Sequence, residues 1–180
     1  MTVYIALLRG INVGGHNVIK MKDLKVMFEE LGLQNVSTYI QSGNVIFTSD
    51  MKTGQLQEKI EHEIEKRFGF QVTVILRAAC VFENLIHNCP YPVDTLQEGE
   101  SVHLVLLEKE PLQEALIRLN KYKNELEDFI INDKEIYLHL HISFHKSKLA
   151  MQSQKLGVAA TVRNWKTIVK LESMLEGMDG

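Results

Sequence analysis

Between Val3 and Leu76 the hydrophobic period switches from strand-like to helix-like in a set order, and that order constrains the fold more than any other feature. Val3-Tyr4-Ile5-Ala6-Leu7-Leu8 is a short apolar run closed by Arg9-Gly10, which suits a buried strand. A polar, glycine-containing loop runs from Arg9 to Lys20. Met21, Leu24, Phe28 and Leu31 then recur at helical spacing, and Gly32 offers a C-cap. Residues 36–41 and 45–49 are β-rich and flank Ser42-Gly43-Asn44, which reads as a hairpin turn. Leu56, Ile60, Ile64 and Phe68 mark a second amphipathic helix ended by Gly69, and residues 71–76 read as a fourth strand. The resulting β-α-β-β-α-β order is the ferredoxin-like split pattern of an α+β protein.

Residues 78–88 continue as a short helix that Pro90, Tyr91 and Pro92 stop. The sequence divides there into a ferredoxin-like N-terminal subdomain, residues 1–90, and a second, different α+β subdomain, residues 91–180, ending in a helix. In the second part, residues 102–107 form a strand and Pro111 opens a helix with Leu112, Ala115, Leu116 and Leu119 on one side. Residues 128–131 and 135–143 flank the turn Asn132-Asp133-Lys134, and helical pieces follow over 147–156 and 162–175. The halves share a strand-helix-hairpin theme without a residue-level repeat.

A chain of 180 residues buries roughly 70% of its unfolded surface, so stability requires neither metal nor disulfide. Hydrophobic residues at 45% and charged residues at 24% argue against disorder. The net charge of −3 gives no global attraction to nucleic acid or membranes, so such affinity requires a local patch. No apolar stretch approaches the roughly 20 residues of a membrane helix. The first apolar run has no basic region ahead of it, so a signal peptide is not expected. Cys80 and Cys89 are the only cysteines and follow no pattern, which fits a reducing cytoplasm.

Three segments carry candidate chemistry. The loop Arg9-Gly10-Ile11-Asn12-Val13-Gly14-Gly15-His16 runs from a strand end toward a helix start, where glycine N–H groups can approach an anion. It lacks the Lys-Ser or Lys-Thr of a P-loop, and its glycines also serve as plain turn formers. At the hairpin, Gln41, Ser42 and Asn44 are polar, although a turn needs Asn and Gly in any case, and Ser42 has no identifiable base. On the helix expected over 162–175, Arg163, Lys166 and Lys170 form a basic stripe opposite Trp165, Ile168 and Leu171. With Thr161 as N-cap, Arg163 faces the positive end of the helix dipole at a cost of about 0.3–1 kcal/mol, which calls for an anion or carboxylate partner. The plainer reading of that stripe is a solvated face paired with surface acids.

His139 and His141 alternate with apolar residues and project from one strand face, where a third ligand such as His103 or His145 would complete a zinc site. No cysteine pair or HExxH motif accompanies them, so no metal and no cofactor is expected.

RGINVGG at 9–15, Met21, LG at 31–32, TYIQSGNV at 38–45, SKL at 147–149, LGVAATVRNW at 156–165 and KL at 170–171 form an ordered set. On these motifs the sequence resembles the bacterial family known as domain of unknown function 1697, over nearly the whole chain. The resemblance implies a ferredoxin-like N-terminal subdomain joined to a second α+β subdomain, and brings no catalytic assignment with it. Residues 141–146, HISFHK, depart from the Gly-containing loop common among relatives, so no ligand-loop role is carried over to them. The family's recurrent polar residues map to Arg9, Asn12, Gln41, Ser42, Asn44, Lys148, Arg163, Asn164 and Lys170. With Gly14 and Gly15, this cation- and amide-rich set suits anion binding better than acid–base chemistry.

The expected function is therefore a cytoplasmic binding module for a phosphate-bearing ligand, a nucleotide-like metabolite or a nucleic acid, with no membrane partner. The alternatives are an enzyme acting on a phosphorylated or carboxylated metabolite with His16 as base, and a structural or protein-partner module in which Arg163 pairs with an acid such as Glu172. Oligomeric state is not fixed by the sequence.

Overall fold

The apolar run near the N-terminus forms strand β1 (Thr2–Leu8), buried from Tyr4 to Leu8. In the computed structural model, which describes residues 1–178, the chain continues through α1 (Met21–Glu30), β2 (Gln34–Tyr39), β3 (Asn44–Ser49), α2 (Thr53–Phe68), β4 (Val74–Ala78) and α3 (Ala79–His87). There follow β5 (Ser101–Leu107), α4 (Gln113–Asn120), β6 (Glu127–Asn132), β7 (Glu135–Leu140), α5 (Lys148–Ser153), β8 (Ala160–Asn164) and α6 (Trp165–Glu176), with a 3₁₀ turn at Phe144–Lys146 ahead of α5. The protein is thus α+β, with two four-stranded antiparallel sheets and six helices among the described residues.

Two compact units divide the chain: Met1–Glu83 together with Gly177 and Met178, and Asn84–Glu176. The division falls within α3, ahead of the expected boundary at 90/91. In the first unit the sheet order is β2-β3-β1-β4. Leu24, Met27 and Phe28 of α1 and Leu56, Ile60 and Ile64 of α2 cover one sheet face, packing with Tyr4, Ala6, Val45 and Phe47. Phe28 meets Phe47 edge-on at 5.3 Å between ring centroids, a favoured aromatic geometry. Ile5, Leu7 and Ile46, which alternate with those residues, are fully buried as well. Burial on both faces explains why β1 reads as a continuous apolar run rather than an alternating one.

The second unit corrects the expectation of a different subdomain. Its order is β6-β7-β5-β8, the same arrangement in the same β-α-β-β-α-β sequence. Strand lengths of 7, 6, 6 and 5 residues recur in chain order. The registers recur too: the first residue of the central strand pairs with the last of its hairpin neighbour, Thr2 with Ser49 and Ser101 with Leu140. No residue repeat accompanies this because the topology needs only hydrophobic pattern and turn chemistry, which many sequences satisfy.

A second correction concerns residues 162–164, expected to begin a helix with Thr161 as its cap. They belong instead to β8, which pairs with β5 so that Arg163 lies opposite Leu104. Thr161 is therefore no helix cap. Asn164 fills that role for α6, its Oδ1 accepting the Thr167 N–H at 2.9 Å. Arg163 is only 5% exposed, and its Nη1 donates to Thr161 Oγ1 at 2.7 Å and to the Val162 carbonyl at 3.0 Å. Arg77 holds the equivalent position, fourth in β4, is equally buried, and donates Nη1 to the Leu76 carbonyl at 2.9 Å. Each unit therefore buries one guanidinium at the end of its last strand.

Replacing either arginine by alanine removes hydrogen bonds made out of water and leaves a void. Arg163→Ala and Arg77→Ala should each lose about 2–4 kcal/mol in urea unfolding, while exposed Lys170→Ala should change stability by less than about 0.5 kcal/mol. Burial also pushes the His103 imidazole down to about 4. The unfolded chain then takes up a proton near pH 6.5 that the folded chain refuses. Stability should fall as pH drops below about 6.5 and level off near pH 4, a total loss of about 3 kcal/mol. His103→Gln should flatten that limb in unfolding curves measured across the range.

Candidate functional site

The loop after β1 is built by its asparagines. Asn12 Nδ2 donates to the carbonyls of Ile19 at 2.9 Å and Gln41 at 2.8 Å, and its Oδ1 accepts the Ile19 N–H at 2.8 Å. The Asn12 N–H reaches the Asn17 carbonyl at 3.1 Å, the His16 N–H reaches that of Val13 at 3.0 Å, and Asn17 Nδ2 reaches that of Gly10 at 3.3 Å. These bonds hold the two arms of the loop side by side. Gly10, Asn12, Gly14, Gly15 and Asn17 all have positive φ, which glycine and asparagine adopt more readily than other residues. Arg9, Gly14, Gly15, His16 and Lys20 are exposed around the loop. Lys20 precedes α1 and gives it no side-chain cap.

The β2–β3 turn spans residues 40–43, slightly ahead of the expected Ser42-Gly43-Asn44, with Ile40 at φ 46° and Gly43 at φ 87°. It lies directly against the loop. The Leu8 N–H donates to the Gly43 carbonyl at 2.8 Å, and a Cβ on Gly43 would stand 2.7 Å from Ile11 Cδ1. Asn44 is fully buried and donates Nδ2 to the Tyr39 carbonyl at 2.8 Å and to Ser42 Oγ at 3.1 Å. The fold therefore brings Arg9, Asn12, Gly14, Gly15, Gln41, Ser42 and Asn44 to one end of the first sheet. Asn12 and Asn44 serve as its framework, while Arg9, Gln41 and the glycines face solvent.

Lys148, Arg163, Asn164 and Lys170 belong to the second unit. Lys148 and Lys170 are exposed on α5 and α6, and Asn164 caps α6. Burial pushes the Arg163 guanidinium down to about 10, so it still carries its charge at neutral pH. Ser147, beside Lys148, caps α5 by accepting the Ala150 N–H at 2.9 Å and donates to the buried Glu127. Burial raises the Glu127 carboxyl, but hydrogen bonds from Ser147, Asn124 and the Leu149 and Lys148 N–H groups outweigh it and hold it below the usual range. Glu172, named as a partner for Arg163, lies 3.9 Å from His87 Nε2.

Two features escaped sequence reasoning. The buried Arg77 sits inside the apolar run of β4, and only its equivalence to Arg163 gives it meaning. The partner of the histidine pair is Glu100 rather than His103 or His145. Glu100 Oε2 lies 3.2 Å from His139 Nε2, and its Oε1 lies 3.8 Å from His141 Nδ1. His103 instead shares a hydrogen bond with Ser101 Oγ at 2.9 Å and packs on Phe144. Glu100 directly precedes Ser101, which pairs with Leu140, so the β5–β7 register alone brings it beside the histidines. A groove of about 580 Å³ is lined by Glu58, Glu61, His62 and Glu65 and is unsuited to an anion.

No curated protein matches the chain. A solved structure of a conserved bacterial protein from Streptococcus pneumoniae is similar, with a TM-score of 0.78 and 30% identity over 97% of this chain and 98% of the other. The family model described as "Protein of unknown function (DUF1697)" matches residues 1–137 and so contains the Arg9–Gly15 loop and the hairpin turn, while the motifs from Ser147 onward lie beyond it. The likeness to the solved structure spans both parts, and the chain belongs to the DUF1697 family.

Proposed function

We propose that the protein is a binding module for a phosphate-bearing ligand, taken up at the exposed loop after β1 and the adjoining β2–β3 turn. The observation that carries this reading is the Asn12 clamp. Its side chain makes two hydrogen bonds to Ile19 that close the loop and one to the Gln41 carbonyl that ties the loop to the turn, while Arg9, Gly14, Gly15 and Gln41 stay exposed. A site organised before its ligand arrives loses little ordering entropy on binding. Backbone N–H groups and a guanidinium complement a phosphate without a titrating group. The reading rests on first-unit residues and does not draw on Lys148, Arg163, Asn164 or Lys170.

The order β2-β3-β1-β4 supports placing the first unit among ferredoxin-like folds, and its recurrence extends that reading to the second. A domain boundary at 90/91, giving domains 1–90 and 91–180, rests on the proline-rich stretch at residues 90–92 and would keep α3 whole, whereas the compact units divide within α3. Among the described residues no helix is long and apolar enough to cross a membrane. Cys80 and Cys89 are both free, which supports a cytoplasmic setting.

Titration of ¹⁵N-labelled protein with pyrophosphate, ATP, a sugar phosphate and short RNA and DNA should move the amide signals of Gly14 and Gly15 saturably. Arg9→Ala should weaken the best ligand about tenfold, matching one charge-assisted hydrogen bond. Asn12→Ala should weaken it as well and broaden the loop signals. Loop amides that stay still with every probe, or an Arg9→Ala variant that binds as wild type does, would refute the reading.

A further inference from the structure

We propose that Glu100, His139 and His141 form a binding site for a divalent transition-metal ion of the zinc type. The site lies wholly in the second unit and is independent of the loop after β1. Its three ligand atoms, His139 Nε2, His141 Nδ1 and a Glu100 carboxylate oxygen, lie within 4.8 Å of one another. An ion bound at about 2.0–2.2 Å to imidazole and carboxylate holds its ligands roughly 3.4 Å apart in a tetrahedral arrangement. Glu100 turns one oxygen to each imidazole, Oε2 at 3.2 Å from His139 Nε2 and Oε1 at 3.8 Å from His141 Nδ1, spacings on either side of that value.

The surroundings favour coordination over a simple ion pair. His139 and Glu100 are 16% and 18% exposed, so both are largely withdrawn from water, while His141 at 38% leaves one side open. The Tyr91 ring packs on the His139 imidazole at 4.8 Å between centroids, and the two imidazoles lie 4.7 Å apart. The Tyr91 hydroxyl donates to Asp128 Oδ2 at 3.0 Å, which locks the ring in place. Asp128 pairs with His139 across the β6–β7 ladder, adding a second carboxylate at the rim. Its other oxygen lies 3.4 Å from Lys123 Nζ, so Glu100 is the carboxylate committed to the histidines. Two imidazoles and one carboxylate with an open side match zinc and ferrous sites that retain exchangeable positions, rather than a closed structural site.

The test uses full-length protein stripped with a chelator and titrated with Co²⁺, followed by visible absorption. Zn²⁺ is then added while thermal unfolding is monitored. One equivalent of Co²⁺ should produce saturating visible bands, and Zn²⁺ should raise the melting temperature. His141→Ala and Glu100→Gln should each weaken binding at least about 100-fold, since loss of a ligand exceeds the ~10–100-fold effect of losing an outer partner. His145→Ala, on the neighbouring 3₁₀ turn, should bind as wild type does. His141 is the most exposed of the three, so its variant keeps the test valid if changes at His139 disturb folding. Wild-type protein with neither bands nor a thermal shift overturns the site. So do Co²⁺ bands that survive both His141→Ala and Glu100→Gln, or that vanish in His145→Ala.

Discussion

Everything in this protein depends on the antiparallel pairing of the two central strands, β1 with β3 and β5 with β7. Both central strands are buried on both faces over most of their length, so their N–H and C=O groups have no water to fall back on. The ladder must therefore be complete and its register unique. A slip of one residue would turn Ala6 and Phe47, or Leu138 and Leu140, away from their helices. The same register delivers Gly43 to the root of the first loop and Glu100 to the histidine pair. Register thus creates local chemistry as well as the fold.

Element order was legible in the sequence because helical and strand periods alternate cleanly up to Leu76, and because Gly32, Gly69 and the Asp133 turn punctuate them. Strand β8 was not legible. Ala160-Thr161-Val162 carries β-type residues, but Arg163 falls in step with Lys166 and Lys170, and a buried arginine looks like the first member of a helical stripe. The true boundary signal was Asn164, a good cap placed directly before an apolar helix. The loop and turn motifs were found, yet their roles were only half legible. An amide that satisfies backbone groups has the same side chain as one that awaits a ligand, and Asn12 and Asn44 do the first. Glu100 lies far from His139 in sequence, and nothing local encodes a long-range register.

The recurrence of one architecture in both units has a physical reading. Strand lengths, registers and even the placement of a buried arginine coincide, although the residues around Arg77 and Arg163 share no motif. What recurs is a buried guanidinium at that place. What varies is the packing around it, which tolerates many combinations of similar volume. The units differ in what they carry around this shared frame. The first carries a glycine loop between β1 and α1, and the second carries histidines at the end of β7.

Gly43 sets the terms on which the first loop can change. A methyl group there would stand 2.7 Å from Ile11 Cδ1 and 2.9 Å from Leu8 Cβ, while its positive φ already excludes most side chains. Nothing wider than a hydrogen atom separates the turn from the base of the loop. A larger side chain is therefore resisted at the root, whereas the tip from Val13 to His16 is exposed to solvent. The tip can change what the loop touches, while the root holds the loop to the sheet.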